Sequence, residues 1–154
     1  MEEELSKRAK LRALRLLEMK DRTEAELRQK LKEDGYPEEM IDVALQYVKK
    51  FGYVEDNRYA ENFIQSRRNS KSKREIQVAL YQKGLDREVV QSALENCYDG
   101  EDETATIRRI LEKKRYHQEE ATDRDRKKMY AYLSRKGFRY EDIQQVLQVS
   151  SWNA

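Results

Sequence analysis

Apolar residues along this chain fall into one spacing that is written three times. An apolar position is followed four residues on by a second, then four further on by a Gly with an apolar neighbour, and apolar positions recur five and nine residues after that neighbour. The copies are Leu27, Leu31, Gly35, Tyr36, Ile41, Leu45; Ile76, Leu80, Gly84, Leu85, Val90, Leu94; and Met129, Leu133, Gly137, Phe138, Ile143, Leu147. Steps of four place side chains on one helix face, Gly readily takes the left-handed conformation that ends a helix, and the apolar residue after it can fold back onto the last turn. Each copy predicts a helical hairpin. The glycines lie 49 and 53 residues apart, so the chain reads as a repeat array whose modules bury their faces on neighbours.

A further apolar stripe precedes each hairpin. Leu11, Leu14 and Leu17 recur with Ala13 and Leu16 in residues 5–20; Tyr59, Ala60, Phe63 and Ile64 do so in 55–69; Ile107, Ile110 and Leu111 do so in 102–117. These stripes predict nine helices in three triplets: an all-α fold of tandem three-helix repeats over residues 5–52, 53–99 and 100–149, with a tail at 150–154. Thr23-Glu24-Ala25-Glu26 and Ser72-Lys73-Arg74-Glu75 are capping-box patterns that mark helix starts, and Pro37 followed by Glu38 and Glu39 suits the first turn of another. The polar stretch from His117 to Thr122 predicts a loose connection, and Trp152 is placed to cover the last hairpin.

Only 38% of the 154 residues are hydrophobic while 40% are Asp, Glu, Lys or Arg, too polar for a thick core and suited to thin helical layers with wide charged faces. The expected shape is an elongated, curved array with a long binding surface rather than an enclosed pocket. A net charge of only +2 and a periodicity that persists to Leu147 argue against disorder. No run of eighteen apolar residues and no signal-peptide core follows Met1, which predicts a cytoplasmic protein with no membrane partner. The lone Cys97 and lone His117 leave no metal site and no nucleophile–base pair, and the glycines form no phosphate-cradling loop. Cys97 reads as a small core residue. No cofactor and no enzymatic activity are expected.

Charge is distributed in blocks. Residues 7–32 carry net +6, 58–74 net +5 and 108–139 net +7, separated by acidic blocks of net −5 over 33–56 and net −6 over 86–103. The recurrence predicts a basic flank and an acidic flank. Its sharpest cluster is Arg67, Arg68, Lys71, Lys73 and Arg74, five cations within eight residues at a helix junction, where stems could converge on phosphate oxygens beside free helix amides. Arg124, Arg126, Lys127 and Lys128, interleaved with Asp123 and Asp125, and Lys113, Lys114 and Arg115 are further candidates. Among ten tyrosines, Tyr59 and Tyr132 fall on apolar stripes, whereas Tyr81, Tyr130 and Tyr140 fall beside them near cations and could stack on bases.

The stretch from Phe51 to Arg67, Phe-Gly-Tyr-Val-Glu-Asp-Asn-Arg-Tyr-Ala-Glu-Asn-Phe-Ile-Gln-Ser-Arg, resembles the signature of the RecX family, regulators of the bacterial RecA recombinase. The segments from Thr23 to Tyr36 and from Glu75 to Leu85 are similar to the hairpins that flank it there, and the likeness runs from about residue 10 to 148. In one departure, Ser72 and Glu75 stand where the family commonly has a Gly and a basic residue. The resemblance implies a modular array of three-helix repeats lying in the groove of the RecA filament on single-stranded DNA, for which a monomer is the simplest arrangement. There it would span neighbouring subunits, block growth or favour disassembly, and lower strand exchange, ATP hydrolysis and the co-protease activity of the SOS response. Two alternatives stay open on the residues alone: a RecA-independent DNA-binding helical protein, and a helical-repeat scaffold that binds protein only.

Overall fold

The computed structural model describes residues 1–98, 100 and 103–148, and its described residues form helices without strands. In chain order these are α1 (Glu2–Met19), α2 (Glu24–Glu33), α3 (Glu38–Lys50), α4 (Asp56–Arg67), α5 (Lys73–Gln82), α6 (Arg87–Tyr98), α7 (Thr104–Lys113), α8 (Asp123–Arg135) and α9 (Tyr140–Leu147). The fold is all-α, with three tandem triplets. Trp152 lies outside the described residues.

Local chemistry sets the helix limits. Thr23 accepts the amide of Glu26 while Glu26 accepts the amide of Thr23, both at 3.1 Å, and Ser72 and Glu75 exchange the same pair of bonds at 3.0 Å. A third box, between Thr122 and Asp125, opens α8. Pro37 is the residue before α3 rather than its first helical residue, because its ψ of 154° is extended. α7 stops at Lys113, short of the expected 117, since Arg115 takes a left-handed φ of 57° and the Tyr116 amide returns to the Leu111 carbonyl at 2.9 Å.

The helices pack as two compact units, residues 1–62 with 80–91, and residues 63–79 with 92–154. In the first unit Ala9, Ala13, Leu16, Leu27, Leu31, Ile41, Ala44, Leu45, Val48 and Val54 form one buried cluster. The inward face of α1 thus differs from the leucine stripe read in the sequence. Ala9, Ala13 and Leu16 are buried, Leu14 and Leu17 are partly covered, and Leu11 is 51% exposed. Alanine at two of the three inward positions lets the neighbouring helix approach closely, which pushes the bulkier leucines to the rim. The second unit buries Ile107, Ile110, Leu111, Leu133, Phe138, Ile143 and Leu147, flanked by Tyr116, Met129, Tyr130 and Tyr132. The middle triplet contributes buried Leu80, Leu85 and Val90 to the first unit and Phe63, Ile64, Ile76, Ala93 and Leu94 to the second.

Candidate nucleic-acid interface

The cations are positioned by a joint built twice from the same residue types. In the first unit the Thr23 hydroxyl, fully buried, donates to the Lys83 carbonyl at 2.7 Å. The Glu24 amide donates to the Asp56 carboxylate at 2.9 Å, and Lys83 Nζ lies 3.6 Å from Glu26. In the second unit the Ser72 hydroxyl, also fully buried, donates to the Lys136 carbonyl. There the Lys73 amide donates to the Glu103 carboxylate at 2.6 Å, and Lys136 Nζ lies 3.4 Å from Glu75. A cap hydroxyl, a capping-box glutamate and the Lys-Gly end of a later helix thus form one recurring lock. Burial raises the carboxyl of Asp56 above its ordinary range, against the stabilising amide bond from Glu24, and nearby Glu24, Asp86 and Glu55 raise it further. Burial likewise raises Glu103, with neighbouring Asp142 adding to it and the Lys73 amide opposing it.

This packing divides the five-cation cluster. Arg68 Nη1 donates to the Cys97 carbonyl at 2.6 Å and its guanidinium lies 4.8 Å from the centre of the Tyr98 ring, so it serves the joint. Arg67 lies over Phe63 at 3.8 Å and Lys73 over Tyr98 at 5.3 Å, both exposed. Lys71 and Arg74 are exposed and, among the described residues, no carboxylate reaches within 4.0 Å of either; the stem of Arg74 covers Gly137. Of the other candidates, Arg126 pairs with Asp123 at 3.2 Å, and Lys114 lies 4.1 Å from the centre of the Tyr132 ring. Lys113, Arg115, Arg124, Lys127 and Lys128 are exposed. The second unit therefore holds most of the outward positive charge, with seventeen basic against thirteen acidic residues, net +4, while the first unit is net −2.

The tyrosines sort differently from the cations. Tyr81 accepts a bond from Gln91 at 3.0 Å, and Tyr130 and Tyr140 meet edge to face at 6.2 Å, so each already has a partner while staying partly exposed. Tyr59 and Tyr132 are half-buried, as is Cys97. The most exposed aromatic side chains described are instead Phe51 and Tyr53, at 54% and 53%. They lie in a turn, outside any helical stripe, so apolar periodicity gives no sign of them.

Among the described residues no group of three His, Cys, Asp or Glu side chains could hold a metal ion, and no helix is long and apolar enough to cross a membrane. What the fold and the joints define is a helical-repeat protein that presents charged and aromatic surface. Three family models match in tandem: RecX, first three-helix domain, over residues 9–47; RecX, second three-helix domain, over 56–94; and RecX, third three-helix domain, over 101–147. The regulatory protein RecX of Caldanaerobacter subterraneus subsp. tengcongensis is 36% identical over 146 residues, covering 94% of this chain and 72% of that protein. Its counterpart in Clostridium perfringens strain SM101 is 35% identical over 133 residues, covering 84% and 62%. The chain thus spans between about three fifths and three quarters of the length of these relatives. A crystal structure of RecX from Lactobacillus salivarius superposes with a TM-score of 0.81 at 23% identity, over 94% of this chain and 96% of that one. A second crystal structure, of a regulatory protein RecX, gives 0.77 at 25% identity, over 94% and 71%. The chain belongs to the RecX family.

Proposed function

We propose that this chain regulates the RecA recombinase by binding RecA filaments on single-stranded DNA and inhibiting strand exchange, ATP hydrolysis and co-protease activity through occupancy of the filament groove. It acts in the cytoplasm as a monomer, without a cofactor and without a covalent step. The observation that carries this reading is the set of exposed cations in the second unit, Lys71, Arg74, Lys113, Arg115, Arg124 and Lys128, for which no carboxylate within ion-pairing distance is found among the described residues. Such side chains meet phosphates without first breaking an ion pair, and they read backbone charge rather than base sequence. Arg67 and Lys73 add charge from the tops of aromatic rings. Weak contacts to DNA and to protein made by one chain reinforce one another, because the second is made at high effective concentration once the first has formed.

The test is binding by fluorescence anisotropy to labelled single strands, to duplex, and to single strands coated with RecA and a non-hydrolysed nucleotide. The coated strand should bind tightest, with little dependence on base sequence. Equal binding to bare and coated strands would point to RecA-independent DNA binding, and binding to RecA that ignores DNA would point to a protein scaffold; either result overturns the proposal.

A further inference from the structure

The turn after α3 holds two aromatic rings away from the core. Phe51 caps the helix, Gly52 takes a φ of +72°, and the amides of Tyr53 and Val54 return to the Val48 carbonyl at 2.8 and 3.3 Å. Val54 is buried beneath the turn, and Arg58 Nη2 donates to the Gly52 carbonyl at 2.9 Å, so the loop is fixed from both sides. Above it the Phe51 and Tyr53 rings stack at 6.1 Å and 29°, and Tyr47 meets Phe51 edge-on at 5.0 Å. Lys50 lies 5.8 Å from the centre of the Phe51 ring and Lys10 lies 5.1 Å from that of Tyr47. The nearby carboxylate of Glu55 is engaged by Asn57 and by the Arg58 amide.

The turn itself does not demand aromatic residues. The equivalent corner of the middle triplet is also built on a left-handed Gly, Gly100 at φ +76°, and there the sequence flanks it with Asp99 and Glu101. Phe51 and Tyr53 are therefore not required by a left-handed Gly corner of this kind. Exposed aromatic rings beside the Lys50 ammonium and the Arg58 guanidinium suit an unpaired nucleobase and its phosphate, since every base offers a π-face regardless of sequence.

We propose that Phe51 and Tyr53, flanked by Lys50 and Arg58, form a base-stacking site for single-stranded nucleic acid in the first unit. This rests on the reading that the chain touches single-stranded DNA, and adds to the phosphate-binding cations of the second unit a contact that needs the bases. The test compares oligo-dT with an abasic oligonucleotide of equal length, using the full chain, the F51A/Y53A variant and F51W. The wild type should prefer oligo-dT, and F51A/Y53A should lose at least about fivefold on oligo-dT while leaving the abasic strand unchanged. F51W should keep its affinity for oligo-dT and show emission quenched on binding, relative to the wild type, which guards against a double variant that folds poorly. Equal wild-type affinity for both strands sinks the stacking site and leaves the DNA reading standing; no binding to either sinks both. If F51A/Y53A weakens binding only to RecA-coated strands, the patch meets protein and the site is wrongly assigned.

Discussion

Gly35 and Gly84 occupy equivalent hairpin corners with φ of +88° and +84°, yet they answer to different constraints. A methyl group on Gly35 would meet nothing within 4 Å, whereas one on Gly84 would stand 2.5 Å from the Cβ of Ala25. Gly35→Ala should therefore cost only the left-handed strain of an L-residue, about 1 kcal/mol. Gly84→Ala should add overpacking of about 1–3 kcal/mol to it, a difference readable in urea midpoints. The sequence spacing marks both glycines as helix stops; it is silent on Ala25, which reaches Gly84 only through the tertiary fold. The joint carboxylates give a second residue-scale expectation. A folded-state pKa raised by burial means that Asp56 and Glu103 bind their protons more readily in the folded chain, so their contribution to stability grows as pH falls from their raised values toward the ordinary carboxylate range near 4. Asp125 acts oppositely: the bonds from Thr122 hold its carboxyl below the usual range, so its contribution is present above that range and lost in stronger acid. Asp56→Asn keeps an acceptor for the Glu24 amide but no longer titrates. Urea unfolding at pH 7 and at about pH 4 should find the wild type gaining on this variant at the lower pH.

At the scale of helices, three capping boxes of nearly the same composition carry different loads. Thr23 and Ser72 are fully buried and each also donates its hydroxyl to the carbonyl just past the end of a later helix, while Thr122 is exposed and its described side-chain bond is the cap itself. Thr122→Ala should cost about 1 kcal/mol, the usual worth of a cap. Thr23→Ala and Ser72→Ala should cost about 1–3 kcal/mol more, because each leaves a part-buried carbonyl without its donor. Equilibrium denaturation of the three variants checks the order. The helices themselves are legible in the sequence, since steps of four, capping patterns and Gly stops are local features. What escapes is the choice among apolar side chains of similar spacing. In α1 the fold buries Ala9 and Ala13 and leaves Leu11 in solvent, because the separation of packed helices, not hydropathy alone, decides which stripe turns inward. The early end of α7 escapes for a related reason, since Arg115 makes a left-handed turn without the Gly that would announce it.

Across the whole molecule, charge blocks that look alike in the sequence meet different fates. In the basic block at 7–32 several cations find acidic partners: Arg12 pairs with Asp34 at 2.5 Å, Arg28 with Glu38 and Asp42 at 2.8 Å, and Lys30 with Glu33 at 3.8 Å. Asp42 in particular raises the Arg28 guanidinium pKa by hydrogen bonding. Exposed pairs of this kind add little stability, but they set a negative charge beside the cations they hold and leave those cations less attraction for a phosphate backbone. The block at 108–139 has fewer such partners, and its outward cations belong to the unit of net +4. No sequence count separates the two blocks, because pairing depends on which acidic side chains the fold brings alongside. The consequence appears in the salt dependence of binding. Changing Lys113, Arg115, Arg124 and Lys128 to Ala should flatten the slope of log K against log salt on single strands by about 0.7 for each phosphate that is no longer neutralised. Changing Arg12 and Arg28 should leave it nearly unchanged, since those charges are already answered within the protein. F51A/Y53A should lower affinity at every salt concentration without altering the slope, as stacking on bases displaces no counterions. A slope that follows Arg12 and Arg28 instead would assign the phosphate contacts to those arginines and overturn their assignment to the cations of the second unit.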